Sequence, residues 1–306
     1  MVKIKPFRAV RPEEEYADRI AALPYDVYNR AEAKAYVEDH PLSFLRIDRA
    51  ETQFADSVDT YADIVYEKAR DTYEAMKRDG YYVADPAACY YIYELTMNGR
   101  VQNGIVACAS IDDYLNGVIK KHENTREDKE IDRINHVDVM NAQTGPIFLA
   151  YHATAVLKEI VAKVKEKAPV NDFVSEDGIR HRVFVIDAPD TIDAIGKAFA
   201  DMQAVYIADG HHRCASAVKV GLKRREEHPG FSGDEEFNTF LSVLFPDDEL
   251  MIMDYNRVVK DLNGHSEEEV IAYLKEHGTL TLKGEQAYRP AKKGECSVYL
   301  SGKWYS

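Results

Sequence analysis

The residues best placed to do chemistry are Asp209-Gly210-His211-His212-Arg213, which follow the apolar run Val205-Tyr206-Ile207-Ala208 and precede Cys214-Ala215-Ser216. An apolar strand, a glycine and a helix start, in that order, make an anion-binding turn. Gly210 lets the backbone turn tightly, the helix offers free N–H groups and the positive end of its dipole, and Arg213 adds a planar, permanently charged fork. Phosphate suits that combination. The competing reading has Asp209 N-capping the helix, its carboxylate filling the same N–H groups, with the histidines as surface residues.

A second constellation is Lys120-Lys121-His122-Glu123-Asn124-Thr125, at the head of a charged run that ends at Arg133. For Glu127, Asp128, Lys129 and Glu130 the expectation is a solvated helix face with ion pairs one turn apart. His122 and Glu123 fall before that helix, whose expected cap is Asn124 or Thr125, in a loop where side chains can converge on a ligand. A His-Glu pair can supply a general base or part of a metal site. It lacks the second histidine, four residues on, that a zinc-protease helix requires.

Asn141-Ala-Gln143-Thr-Gly145-Pro146 reads first as helix-stop punctuation ahead of an apolar strand. Asp26 is a further carboxylate candidate near the N-terminus. No Walker lysine motif, no Gly-x-Gly-x-x-Gly after a first strand and no Gly-x-Ser-x-Gly elbow occurs, which sets aside the usual nucleotide and hydrolase scaffolds.

The elements that must hold these residues follow from pattern. Asn29 and Glu32 form a capping-box signature for a helix to about His40, Pro41 ends it, and Leu42 to Ile47 reads as a strand. Ser57 to Arg78 has helical apolar spacing that closes at Gly80. Asn98-Gly99 between Tyr90–Met97 and Val101–Ala109 signals a hairpin. Downstream, strand Pro146–Tyr151, helix Thr154–Lys167, strand Arg182–Ile186, helix Asp190–Met202, strand Ala204–Ala208 and the helix after Gly210 alternate as in an α/β layer. Two lobes are expected, 1–152 with the hairpin and the His-Glu loop, and 153–306 with the phosphate-binding turn. Ser297 to Ser306 looks like a hairpin whose second strand stops early, from which the natural chain is expected to continue past Ser306.

The 306 residues are 45% hydrophobic and 30% charged, the composition of an ordinary globular protein. Lysine and arginine number 39 against 53 acidic residues, and the resulting net charge of −14 repels nucleic acid and anionic membrane while leaving room for a local basic pocket. Neither a signal-peptide core nor a membrane-length apolar run is present, so a cytoplasmic location is expected. Cys89, Cys108, Cys214 and Cys296 are far apart with no Cys-x-x-Cys pair, which points to reduced thiols rather than a zinc site. Several of the 20 tyrosines cluster in Ala88–Leu95, where alternating aromatic and apolar residues suit a strand.

Taken together, Asp209–Arg213, Lys120–Thr125 and Asn141-x-x-x-Gly145-Pro146-Ile147-Phe148 resemble a widespread family of microbial proteins carried as a domain of unknown function, over essentially the whole chain. That family is similar to the free-serine kinases, whose pocket has the ParB/sulfiredoxin-like fold, in which a strand followed by Gly-x-x-Arg binds phosphate. The resemblance implies a mixed α/β (α+β) fold, a ParB/sulfiredoxin-like sheet with surrounding helices. It also implies that Gly210, His211, His212 and Arg213 contact nucleotide phosphates while Asp209 and the histidines face the transferred group. A serine kinase needs a carboxylate near the substrate hydroxyl, and Glu123 and Asp26 both remain candidates. Sulfiredoxins carry Gly-Cys-His-Arg; here His211 stands in the cysteine's place and Cys214 comes only after Arg213, which speaks against that redox chemistry. ParB proteins add a DNA-binding domain, which the charge of this chain disfavours.

The expectation is therefore a nucleotide-dependent phosphotransferase acting on a small hydroxylated metabolite, by resemblance free L-serine, with ATP or ADP and Mg²⁺. Its catalytic candidates are Glu123, His122, Asp209, His211 and His212, with Asp209 and Glu123 as metal ligands. A nucleotide-binding or nucleotide-hydrolysing regulator is the alternative, and an interaction protein with an incidental histidine cluster a third. The expected partners are the nucleotide and the small-molecule substrate, with homo-oligomers allowed and neither nucleic acid nor membrane.

Overall fold

The structure, a computed structural model, describes residues 1–125 and 127–306, and the side chains of all of these except 127–129. The charged face expected for Glu127, Asp128 and Lys129 therefore lies outside the described residues. In chain order the elements begin with β1 (Ile4–Lys5), β2 (Val10–Pro12), α1 (Ala17–Ile20), α2 (Arg30–Asp39), α3 (Leu45–Asp48), α4 (Asp63–Arg78) and β3 (Tyr82–Ala84). There follow β4 (Tyr90–Met97), β5 (Arg100–Ser110), α5 (Ile111–Leu115), β6 (Ile119–Lys120), α6 (Glu127–Met140), β7 (Ile147–Tyr151) and α7 (Ala155–Val164). The remainder are β8 (Asn171–Val174), β9 (Arg180–Ile186), α8 (Pro189–Ala200), β10 (Val205–Asp209), α9 (His211–Glu227), β11 (Thr239–Pro246), α10 (Glu267–His277), β12 (Leu282–Gly284), β13 (Val298–Leu300) and β14 (Lys303–Tyr305).

The fold is mixed α/β. Nine strands form one sheet in the order β6-β10-β7-β11-β5-β4-β9-β8, with β1 also on β5. The β6–β10 and β7–β11 pairs are parallel and the others antiparallel. One face of the sheet buries Ile92, Ile105, Leu149, Phe184, Phe240 and Leu244 with Leu157, Ile195, Phe199 and Val218 of α7, α8 and α9. A second cluster joins Ile20, Ile47, Val65, Ala69, Met76 and Tyr82, the apolar stripe of α4 against α1 and α3.

Local signals account for several elements. Asn29 and Glu32 make both bonds of a capping box at the start of α2. Asn98 and Gly99 take φ of 52° and 79°, the left-handed pair that a two-residue hairpin needs, and Met97 faces Arg100 across it. In α9 the small residues Cys214, Ala215, Ala217 and Gly221 allow close packing: a Cβ on Gly221 would lie 2.4 Å from the Phe237 carbonyl oxygen.

The structure corrects four expectations. The chain divides into two compact units, Met1–Leu250 and Met251–Ser306, rather than at residue 152. Strands from both sides of that point share the large sheet, with β4 on β9 and β7 on β10. Residues 45–48 are helical instead of extended, since a short apolar run does not by itself distinguish a strand from a buried helical turn. α4 starts at Asp63, after turns at 55–62. Glu130, expected on a solvated face, is buried and ion-paired with Lys219 of α9. In the second unit, β14 is the middle strand of a three-stranded sheet, between β12 and β13.

Candidate functional site

Parallel pairing at the sheet edge brings the two constellations together. Val205 of β10 lies beside Ile119 of β6, and Tyr206 beside Lys120. Both strands therefore discharge their loops at the same end, the carboxyl end at which α/β sheets bind ligands. β7 runs antiparallel to β10, with Phe148 opposite Asp209 across a register shift at Ala208, so the segment 141–146 arrives at that end as well.

Gly210 has φ +89° and is the N-cap residue of α9, with no side chain capping the helix. Asp209 does not cap it. Its exposed carboxylate pairs with Arg213 Nη2 at 2.8 Å. Arg213 Nη1 donates to the Pro146 carbonyl at 2.9 Å. A Cβ on Gly210 would lie 3.1 Å from Arg213 Nη2, and one on Gly145 3.3 Å from Nη1, so the guanidinium rests against two glycines. Among the described residues two of its five N–H donors are engaged, by Pro146 and Asp209, and the others can serve an anion.

His211, the first residue of α9, is buried, with 4% exposure. Its Nε2 accepts the His122 backbone N–H at 3.4 Å, and its Nδ1 lies 3.5 Å from Glu123 Oε2. Accepting at Nε2 places the ring proton on Nδ1, toward the carboxylate. The His122 ring stands edge-on to His211 at 4.4 Å between centroids, and His122 Nε2 is 3.8 Å from Glu123 Oε1. Burial and the neighbouring His122 push the His211 pKa down, against the pull of Glu123 and Asp209, and favour a neutral ring at neutral pH. His212 is half-buried and acts electrostatically on Glu130. Burial would raise the Glu130 carboxyl, but Lys219 and Thr125 hold it below its usual range.

The structure thus brings together His122, Glu123 and His211, and separately Asp209, Gly210 and Arg213 with Pro146. Asp26 lies in an exposed turn, and none of the described contacts links it to the first group. Tyr114, which no sequence motif marks, and Lys121 of the His-Glu segment also belong to the site. Both line the cavity of about 400 Å³ beside His122, Glu123 and His211, with the Lys121 ammonium 4.5 Å from the Tyr114 ring centre. A two-residue strand such as β6 carries no pattern that would have announced this neighbourhood.

Asp209 and Glu123 are not joined as a metal pair. Asp209 is occupied by Arg213, while Glu123 stands with two imidazoles, a donor set unlike the oxygen ligands Mg²⁺ demands. Larger cavities of about 690 and 980 Å³ lie elsewhere, over Tyr93, Phe173 and Leu241. The chemistry is weaker there because several lining polar groups are satisfied internally: Tyr93 by His181, and Gln143 by Thr239 and Leu241. The buried Tyr82 hydroxyl is one exception.

A family model described as "Protein of unknown function (DUF1015)" matches residues 4–306. The chain belongs to this family. No curated protein and no solved structure matches this DUF1015 protein. Among its described residues no helix is long and apolar enough to cross a membrane. The family description carries no activity.

Proposed function

We propose that this DUF1015 protein is a nucleotide-dependent phosphotransferase acting on a small hydroxylated metabolite, with free L-serine the acceptor suggested by sequence resemblance. The observation that carries the reading is the convergence, at the carboxyl end of β6 and β10, of an uncapped helix N-terminus bearing Arg213 with the Glu123–His211 pair. The first is suited to phosphates and the second to a hydroxyl proton.

In this reading the N–H groups of α9 and the remaining donors of Arg213 hold the donor phosphates. The acceptor oxygen forms a bond to the terminal phosphorus while the bond to the leaving nucleotide oxygen breaks, the electron pair staying on that oxygen. Glu123 takes the hydroxyl proton. His211 Nδ1–H holds that carboxylate in place. Mg²⁺ arriving with the polyphosphate would neutralise its charge, and the exposed Asp209 oxygen that Arg213 leaves unpaired fits such an ion better than Glu123 does. The wall Ala142–Thr144 of the 690 Å³ cavity leads into Gly145 and Pro146, against which Arg213 lies, and the aromatic residues there suit a nucleobase.

The test is to incubate the full chain with pooled nucleotides, Mg²⁺ and a metabolite mixture and to seek a new phosphorylated species by mass spectrometry. A product supports the reading. Nucleotide binding without any product favours the regulatory alternative, and no binding at all overturns both.

A further inference from the structure

We propose that His122, Glu123 and His211 bind one divalent transition-metal ion, of the Zn²⁺, Mn²⁺ or Fe²⁺ kind, with an open coordination position facing the adjoining cavity. One donor atom from each of the three side chains lies within 4.8 Å of the others. The two carboxylate oxygens of Glu123 each face one imidazole, Oε2 at 3.5 Å from His211 Nδ1 and Oε1 at 3.8 Å from His122 Nε2, so the carboxylate stands between the two rings. Bonds of about 2.0–2.1 Å to a tetrahedral centre put neighbouring donors roughly 3.3–3.4 Å apart. The three donors spread over as much as 4.8 Å, so closing the site takes a movement of up to roughly 1.4 Å, which falls to the exposed loop bearing His122 and Glu123.

The donor set selects the ion. Two imidazoles and one carboxylate suit zinc or a first-row metal with open positions, whereas magnesium takes oxygen ligands. One ligand is rigid, because His211 is buried at the head of the long helix α9, and the other two come from an exposed loop that can adjust around it. The open side is the 400 Å³ cavity, where Lys121, Asn124 and Thr125 would surround whatever binds the ion. Binding also moves a proton. A metal on Nδ1 displaces the hydrogen there to Nε2, so the 3.4 Å contact with the His122 amide must be given up.

The metal site stands on its own geometry. That its open position takes the acceptor oxygen rests on the phosphotransfer reading, with Glu123 and His211 then serving as ligands in place of base and positioning donor, and the two are separable by experiment. The chelator-treated full chain is titrated calorimetrically with ZnCl₂, MnCl₂ and MgCl₂, with no nucleotide present. The expected result is one equivalent of Zn²⁺ or Mn²⁺ bound at micromolar affinity or tighter, undisturbed by millimolar Mg²⁺. His122→Ala and Glu123→Gln each weaken it at least tenfold while leaving the metal-free melting temperature unchanged, since both side chains are largely exposed. Nitrogen-edited NMR of the histidines should show His211 passing from the Nδ1–H to the Nε2–H tautomer. Absence of stoichiometric binding, or binding unaltered in both variants, overturns the site. Nucleotide titration is run separately: a lost metal site with intact nucleotide binding leaves the phosphotransfer reading standing, and the converse leaves the metal site standing.

Discussion

Asp209 and Arg213 are joined by a 2.8 Å ion pair across the first turn of α9, so the aspartate positions the arginine instead of capping the helix. As a half-exposed surface pair it contributes under about 1 kcal/mol to stability. Its effect is on direction: with the Pro146 carbonyl it fixes the plane of the guanidinium against Gly210 and Gly145.

Arg213→Lys should therefore weaken nucleotide binding roughly 10- to 100-fold, or about 1–3 kcal/mol, although the charge is kept. An ammonium cannot hold the Asp209 carboxylate, the Pro146 carbonyl and a phosphate in one plane. Calorimetric titration of mutant and parent checks this. Equal affinities would assign Arg213 to the fold alone.

Gly210→Ala should destabilise the protein by about 1–2 kcal/mol, because a side chain at φ +89° suffers the left-handed penalty. The new methyl would also press on Arg213. Gly145→Ala separates the two effects: its Cβ would meet the same guanidinium at 3.3 Å, but Gly145 has no positive φ. Denaturant unfolding of both variants should show the larger loss for Gly210→Ala, and equal losses would remove backbone strain from the account.

What the sequence made legible was local. Asn29 with Glu32, Asn98 with Gly99, and Gly210 after an apolar strand each act through neighbours a few residues away, and each takes the expected conformation. The chemistry of the site depends on pairing between distant segments, which local pattern does not encode. Ile119–Lys120 is too short for a period, yet its parallel register with Val205–Tyr206 is what sets Glu123 beside His211. Glu130 departs from its expected solvated face for the same reason: its environment is set by Lys219 and Ser216 on another helix, not by the charges beside it in sequence.

Stability should fall on acidification between about pH 7.5 and 5.5. His136 is 3% exposed, its Nε2 lies 3.3 Å from the Ile47 carbonyl, and burial, then Arg133, depress its pKa against the opposing Asp48 and Asp132. His181 and His211 shift the same way, each chiefly through burial. The unfolded chain, with histidine pKa near about 6.5, then binds more protons than the native state, so stability is full above that value and declines as pH drops toward the folded pKa. Urea midpoints across the range measure this, and His136→Gln should flatten the slope. A midpoint that held steady or rose on acidification would contradict the assignment.

Alkylation at pH 7.5 should modify Cys296 first. It is exposed in the second unit, whereas Cys89 and Cys214 are buried with raised pKa values and burial pushes Cys108 up to about 12. Mass mapping after brief iodoacetamide treatment checks the order. Rapid labelling of Cys214 would mean that α9 opens readily, and with it the turn that carries Arg213.

Glu123→Gln tests the division of labour between the two segments. The amide is nearly isosteric with the carboxylate but can neither accept a proton nor carry charge for a cation. If Asp209–Arg213 cradles the donor phosphates while Glu123 serves the acceptor, turnover should fall at least about 100-fold while the nucleotide dissociation constant stays within a few fold. The fold should tolerate the change, because the Glu123 side chain is 60% exposed and its described partners are the two histidines of the same cluster. Measuring the steady-state rate and the nucleotide affinity on the same preparation keeps a folding defect from passing for a catalytic one. A loss of both together would place Glu123 among the phosphate-binding groups. Unchanged turnover would return it to the loop surface and leave Asp209, whose carboxylate lies 2.8 Å from Arg213, as the better base.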